Sequence, residues 1–197
     1  MKHASTQSLF AYWDVQRGER LAPERSDIDP GAIRHVLGDT FVLAVDFVEE
    51  HRFRLAGTKV CALFCRELKD VSFTQLWNEK SRASIGDLLT IVSEEAIGVV
   101  AGATGRAQDG SDMELELLLL PLARRGHARV RALGVLAPLA IPYWMGTNPI
   151  VELELGALRH VGPEVEITDA PRIMASPEGA KVRHGFVVYD GGREQGA

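Results

Sequence analysis

The sequence predicts an α+β fold in which helices pack on one face of an antiparallel sheet. Three observations carry that prediction. Strand-like segments fall into two groups, two before a helical region and three after it. The connections within each group are short and turn-like, which suits antiparallel neighbours rather than parallel crossovers. Residues 82–96 repeat apolar side chains at helical spacing instead of alternating.

At the N-terminus, the run Ser8-Leu9-Phe10-Ala11-Tyr12-Trp13 opens an amphipathic helix with Leu9, Phe10 and Trp13 at helical spacing. A second helix is expected from Asp29-Pro30, an N-cap followed by proline at the first helical position. Ile33 and Leu37 would share its inner face, and Gly38 would end it. Residues 21–28 between them are charged and proline-punctuated, as a connector should be. Residues 41–47 are β-branched and aromatic and predict a first strand. After the charged pair Glu49-Glu50, residues 51–55 alternate polar and apolar, as in the second strand of a hairpin. Gly57-Thr58 closes it, and a short helical region follows around residues 60–67.

The strongest helix runs over residues 82–96. Ser84 with Asp87 three residues on predicts a capping box, and Ile85, Leu88, Leu89, Val92 and Ala96 form one apolar stripe. Three strands are expected next, over residues 97–107, 113–120 and 128–136. Asp109-Gly110 and Arg124-Arg125-Gly126 supply the turns. Residues 151–155 suit either a further short strand or a helical turn, and residues 141–144 an extended, anchored exit segment. From Gly162 onward the composition is loop-like except at residues 186–189. The expected division is an N-terminal helical extension (1–38), a main domain (39–146) and a C-terminal extension (147–197).

The bulk numbers exclude several classes. With 46% hydrophobic residues, 25% charged residues and a net charge of −5, the chain has the balance of an ordinary folded domain. Basic residues are scattered apart from Arg124, Arg125, Arg129 and Arg131, so no sustained cationic face for nucleic acid is expected. The first residues lack the pattern of a signal peptide, and no apolar run approaches the length of a membrane span. A cytosolic protein is expected. Cys61 and Cys65 alone cannot complete a structural zinc site, and the simplest reading is two buried, reduced thiols.

Two stretches resemble a known family. Phe53-Arg54-Leu55-Ala56-Gly57-Thr58 followed by Phe64-Cys65-Arg66-Glu67-Leu68 is similar to the early part of a PAS domain, where a strand ends in glycine before a short helix. Leu119-Leu120-Pro121-Leu122, Leu133-Gly134 and Trp144 resemble its closing part. Phe10-Ala11-Tyr12-Trp13 with Arg25-Ser26-Asp27-Ile28-Asp29-Pro30 is more specific and resembles a bacterial family of short, stand-alone PAS-like proteins of undefined role. The resemblance covers residues 8–146. It implies a five-stranded antiparallel sheet in the order 2-1-5-4-3, cupping a small cavity beneath the helices. Cys65 stands where a glycine is more usual.

Chemistry is harder to find. A haem-binding relative takes an axial histidine from the long helix, and residues 82–96 hold none. The flavin-binding relatives need Asn-Cys-Arg-Phe-Leu-Gln, whereas Phe64-Cys65-Arg66-Glu67-Leu68 lacks the asparagine, phenylalanine and glutamine. Haem and flavin are both disfavoured, and the identity of any cofactor stays open. The glycines at 98, 102 and 105 lack the lysine of a phosphate loop and suit close strand packing. Glu114 and Glu116 are expected to pair across strands with Arg129 and Arg131 on a solvated face. Trp77 is expected to plug the core. Otherwise it walls a ligand pocket with Phe53, Leu88, Val92 and Leu117, where Arg82 would meet an anionic group.

Three functions follow. The first is a regulatory sensor or adaptor without catalysis, binding a small ligand, an unidentified signalling protein, or both. Its N-terminal helix would present Phe10 and Trp13 to a second copy in a homodimer. The second is a ligand-free interaction scaffold whose cavity is filled by its own side chains. The third, a small-cavity α+β enzyme, would need converging titratable groups that the sequence does not assemble.

Overall fold

The computed structural model describes residues 1–45, 51–123 and 131–162, together with two short strands at 180–183 and 186–189. Helix α1 (Ala4–Arg17) opens the chain. Strands β1 (Thr40–Ala44) and β2 (Phe53–Ala56) follow, then helix α2 (Thr58–Leu63) and the long helix α3 (Glu79–Glu94). Strands β3 (Gly98–Ala107), β4 (Asp112–Leu122), β5 (Arg131–Pro138) and β6 (Ile150–Val161) complete the main unit. They form one sheet in the order β2-β1-β5-β4-β3-β6, with every neighbouring pair antiparallel. The family order is present, with a sixth strand added beyond β3. Residues 151–155, ambiguous by pattern, lie in that strand.

The alternation along β4 explains the layering. Leu115, Leu117 and Leu119 face one way and join a core with α2 and α3. Leu118, Leu120 and Leu122 face the other way and pack with α1 through Leu9 and Trp13. The sheet is therefore covered on both faces. The first, under α2 and α3, is called the inner face below, and the second, under α1, the outer face.

Two glycines mark close approaches. A Cβ at Gly134 would strike the ring of Phe41 on the neighbouring strand, and one at Gly57 would strike the carbonyls of Leu37 and Gly38. Only glycine leaves room there.

Several expectations change. No α-helix forms after Asp29-Pro30. Asp29 Oδ1 accepts from Gly31 N at 2.8 Å, and the chain proceeds by tight turns to a single 3-10 turn at Leu37–Asp39. The aspartate closes a local turn instead of capping a helix. Helix α3 begins earlier than its apolar stripe suggests. Asn78, not Ser84, is its cap, with Oδ1 accepting from Ser81 N at 2.9 Å. Its start is also stitched to β6, since Asn78 N donates to Leu153 O at 2.8 Å and Leu155 N to Ser81 Oγ at 2.9 Å.

The two thiols are not both buried: Cys65 is exposed and Cys61 half-buried. Burial raises the Cys61 thiol above its ordinary pKa. Cys65 sits just past α2 at φ 50°, with Cys65 N donating to Ala62 O and Arg66 N to Cys61 O. This is the paired-bond helix ending that favours glycine.

The two halves of the N-terminal resemblance meet in space. Asp29 N donates to Tyr12 Oη at 2.8 Å, and Ile28 is buried in the same core as Leu9 and Trp13. Outside the main unit of residues 1–162, β7 (Ala180–Arg183) and β8 (Phe186–Tyr189) pair antiparallel. The remaining tail, the turns expected at 49–50 and 124–126, and Arg129 lie outside the described residues.

Candidate functional site

The inner face gathers most of the residues singled out by sequence. Phe41 and Phe53 come from the paired strands β1 and β2, Phe73 and Trp77 from the segment leading into α3. Their rings form one cluster: Phe53 meets Phe73 at 5.6 Å between centroids, and Phe73 meets Trp77 edge-on at 5.8 Å. Phe41 contacts both phenylalanines at 5.5 Å. Leu88 and Val92 of α3 and Leu117 of β4 belong to the same buried core. Phe73 was missed by pattern because it sits in an irregular segment with no periodicity to read.

Trp77 is the notable member. It is 1% exposed, and its indole Nε1–H has no hydrogen-bond partner among the described residues. Its backbone is fixed between Thr74 O and the start of α3, so the ring is held in place. An indole nitrogen can only donate. Left unpaired in a protein interior, such a donor costs about 1–3 kcal/mol.

Arg82 does not play the expected part. Its side chain lies at the surface, and it donates to the Trp77 carbonyl at 3.2 Å. From there it buttresses the turn and brings no charge to the inner core. Trp13 is corrected as well. It is fully buried, with Nε1 donating to Pro121 O at 2.8 Å, so it has no surface to offer a second copy. Phe10 stacks on it at 6.1 Å and is only half-buried.

The outer face holds the charged groups that sequence reading misplaced. Glu116 is buried under the first residues of the chain, where it accepts from Lys2 N at 2.7 Å and His3 N at 2.9 Å. Burial by itself would raise this carboxyl. The His3 and Lys2 amides, with the N-terminal ammonium, outweigh it and hold the group below its ordinary range. The expected ion pair of Glu116 with Arg131 is excluded by register. Arg131 pairs with Leu122 at the far end of β4, while Glu116 lies opposite Ala137. Asp39, not singled out by pattern, is 1% exposed and accepts from Ser5 Oγ at 2.7 Å and Lys59 Nζ at 3.0 Å. It joins α1 to α2.

Among the described residues no group of three metal-ligating side chains converges, and no helix is long and apolar enough to cross a membrane. What the site offers is a ring-lined, apolar core with one fixed donor, on a sheet of order 2-1-5-4-3 plus an added edge. A PAS domain family model matches residues 1–137. The chain belongs to the PAS family. PAS domains are in general sensory or regulatory modules, commonly mediate protein interactions and are typically not catalytic. The family match begins at residue 1, so α1 and its clasp on Glu116 lie within the matched region. No curated protein matches the chain.

Proposed function

We propose that this PAS protein is a non-catalytic, cytosolic sensor or adaptor whose input is an uncharged small molecule carrying a hydrogen-bond acceptor. The ligand would lie beside Trp77, between α3 and the sheet. The unpaired indole N–H carries this reading. A carbonyl, ether or ring nitrogen placed there would satisfy a donor that no described residue meets. The neighbours Phe73, Leu88 and Val92 are apolar, and Arg82 is at the surface, so a charged ligand would be desolvated without compensation. The output would pass to another protein.

A ligand-free scaffold is the second reading, favoured by the mutual packing of Phe41, Phe53, Phe73 and Trp77, which fills part of the inner face with the protein's own rings.

Native mass spectrometry and an absorbance spectrum of the purified protein, alongside Trp77→Phe, separate the two. A sensor shows a reproducible extra mass in the wild type that the variant holds about tenfold more weakly, the loss of one good hydrogen bond. A clean apo mass, with a Trp77→Phe variant that only melts higher, would leave the scaffold standing.

A further inference from the structure

The loop joining β5 to β6 turns apolar side chains outward from a rigid base. Both of its ends are bonded to the β3–β4 hairpin: Leu139 N donates to Glu114 O at 2.9 Å, and Gln108 N to Pro149 O at 3.0 Å. Within the loop, Trp144 is 8% exposed and packs into the inner core. The Trp144 carbonyl accepts from Thr147 N and Asn148 N at 3.0 Å and from Thr147 Oγ1 at 2.8 Å. Met145 N donates to Pro142 O, closing a second turn. On this frame Leu139, Ile141 and Tyr143 are 39%, 74% and 99% exposed.

Isolated exposed hydrophobes are commonplace. These three share one short tip whose backbone is already fixed. Side chains on such a backbone lose little further freedom on docking, and tyrosine and large aliphatic groups then serve as anchors.

The surroundings are acidic. Residues 139–149 carry no charge, while the flanking strands and turn (104–116 and 150–156) contain Asp109, Asp112, Glu114, Glu116, Glu152 and Glu154 against Arg106 alone. Arg106 is engaged by Asp112 at 3.0 Å. Glu116 is buried under the N-terminus, whose ammonium offsets it, so Asp109, Glu114, Glu152 and Glu154 make the acidic rim. We infer that the residue 139–143 tip is a docking surface for a protein segment that is apolar on one face and basic around it. A second copy presenting the same tip would bring like charge against like. Anionic membranes and nucleic acid are disfavoured for the same reason.

Panning a displayed-peptide library against the full chain tests this. Peptides with Lys or Arg flanking apolar residues should be enriched. Ile141→Ser with Tyr143→Ser should weaken the best of them about tenfold or more, at an unchanged melting temperature. Raising the salt from about 0.05 M to about 0.5 M should weaken binding several-fold, because screening then reaches the acidic rim. Asp109→Asn with Glu152→Gln should reduce that salt effect. The proposal fails if nothing is enriched, if the enriched peptides lack basic residues, or if they bind the double-serine variant equally well. It fails equally if the tip instead drives dimerisation in sedimentation or flotation with phosphatidylcholine vesicles, either of which names a different occupant.

Discussion

The two faces of the sheet solve the same burial problem in different ways. On the inner face, α3 lays an aliphatic stripe over leucines and a ring cluster, and the Trp77 donor goes unmet. On the outer face, α1 is also seated by apolar side chains, but polar contacts fix its position: Glu116 takes the Lys2 and His3 amides, Asp39 takes the Ser5 hydroxyl, and Pro121 takes the Trp13 indole. Two tryptophans make the contrast plain. Trp13 and Trp77 are both buried, yet among the described residues only Trp13 finds a partner for its nitrogen. A face held by directed contacts has one seating. Among the described residues, α3 has such bonds to the sheet only at its start, where Asn78 and Ser81 meet β6, and along the rest of the helix it is held by shape.

The largest expected effect comes from deleting volume on the inner face. Leu88→Ala should lower unfolding free energy by about 2–5 kcal/mol in urea melts. A loss below about 1 kcal/mol would show that the site is loosely packed. That outcome would deepen the contrast between the faces, while a full loss would bring them closer together.

On the outer face, Glu116→Gln should cost about 1.5–3 kcal/mol at neutral pH, the worth of hydrogen bonds to a charged group. The pH dependence has a definite sign. Because the folded-state pKa is depressed, Glu116 contributes stability above the ordinary carboxylate range, and that contribution is lost as pH falls through the lower folded value. Wild type and variant should therefore converge in acid. Parallel stability curves across that range would show that the clasp is not electrostatic.

The smallest effect is expected at the end of α2, the helix that Lys59 ties to the same Asp39. Cys65→Gly relieves a left-handed residue and should raise stability by up to about 1 kcal/mol in thermal melts. A loss instead would mean that the thiol makes contacts worth more than the strain.

What could be read from sequence was what depends on neighbours in the chain. The alternation of Met113, Leu115 and Leu117, the stripe from Ile85 to Val92, and the Asp109-Gly110 turn all translate into local geometry. Together they were enough for the sheet order once the family resemblance was added. Misreadings arose where the partner lies far away. Glu116 looked like a solvated-face residue because the amides it serves belong to Lys2 and His3, at the other end of the matched region. Trp13 looked available to a second copy because the carbonyl it meets, at Pro121, is equally distant. The true start of α3 was hidden for the same reason, since β6 holds it. That Phe53, Leu88, Val92 and Leu117 share the inner core followed from their apolar spacing, whereas Arg82 was misplaced because spacing along a helix cannot say which way a long side chain turns.

The pairing of β1 bears on how the molecule assembles. The strand lies one in from the edge of the sheet, and its partner on the inner side is β5, with Val42 opposite Leu133. Nearly the whole of the intervening chain must be made before that pair can close, and such distant pairings slow folding by demanding loop closure before any reward. Until β5 arrives, β1 is paired on one edge only, by the short strand β2. A nascent chain stalled before residue 131 would therefore display an unpaired, apolar strand edge, the kind of surface that chaperones hold and aggregates recruit.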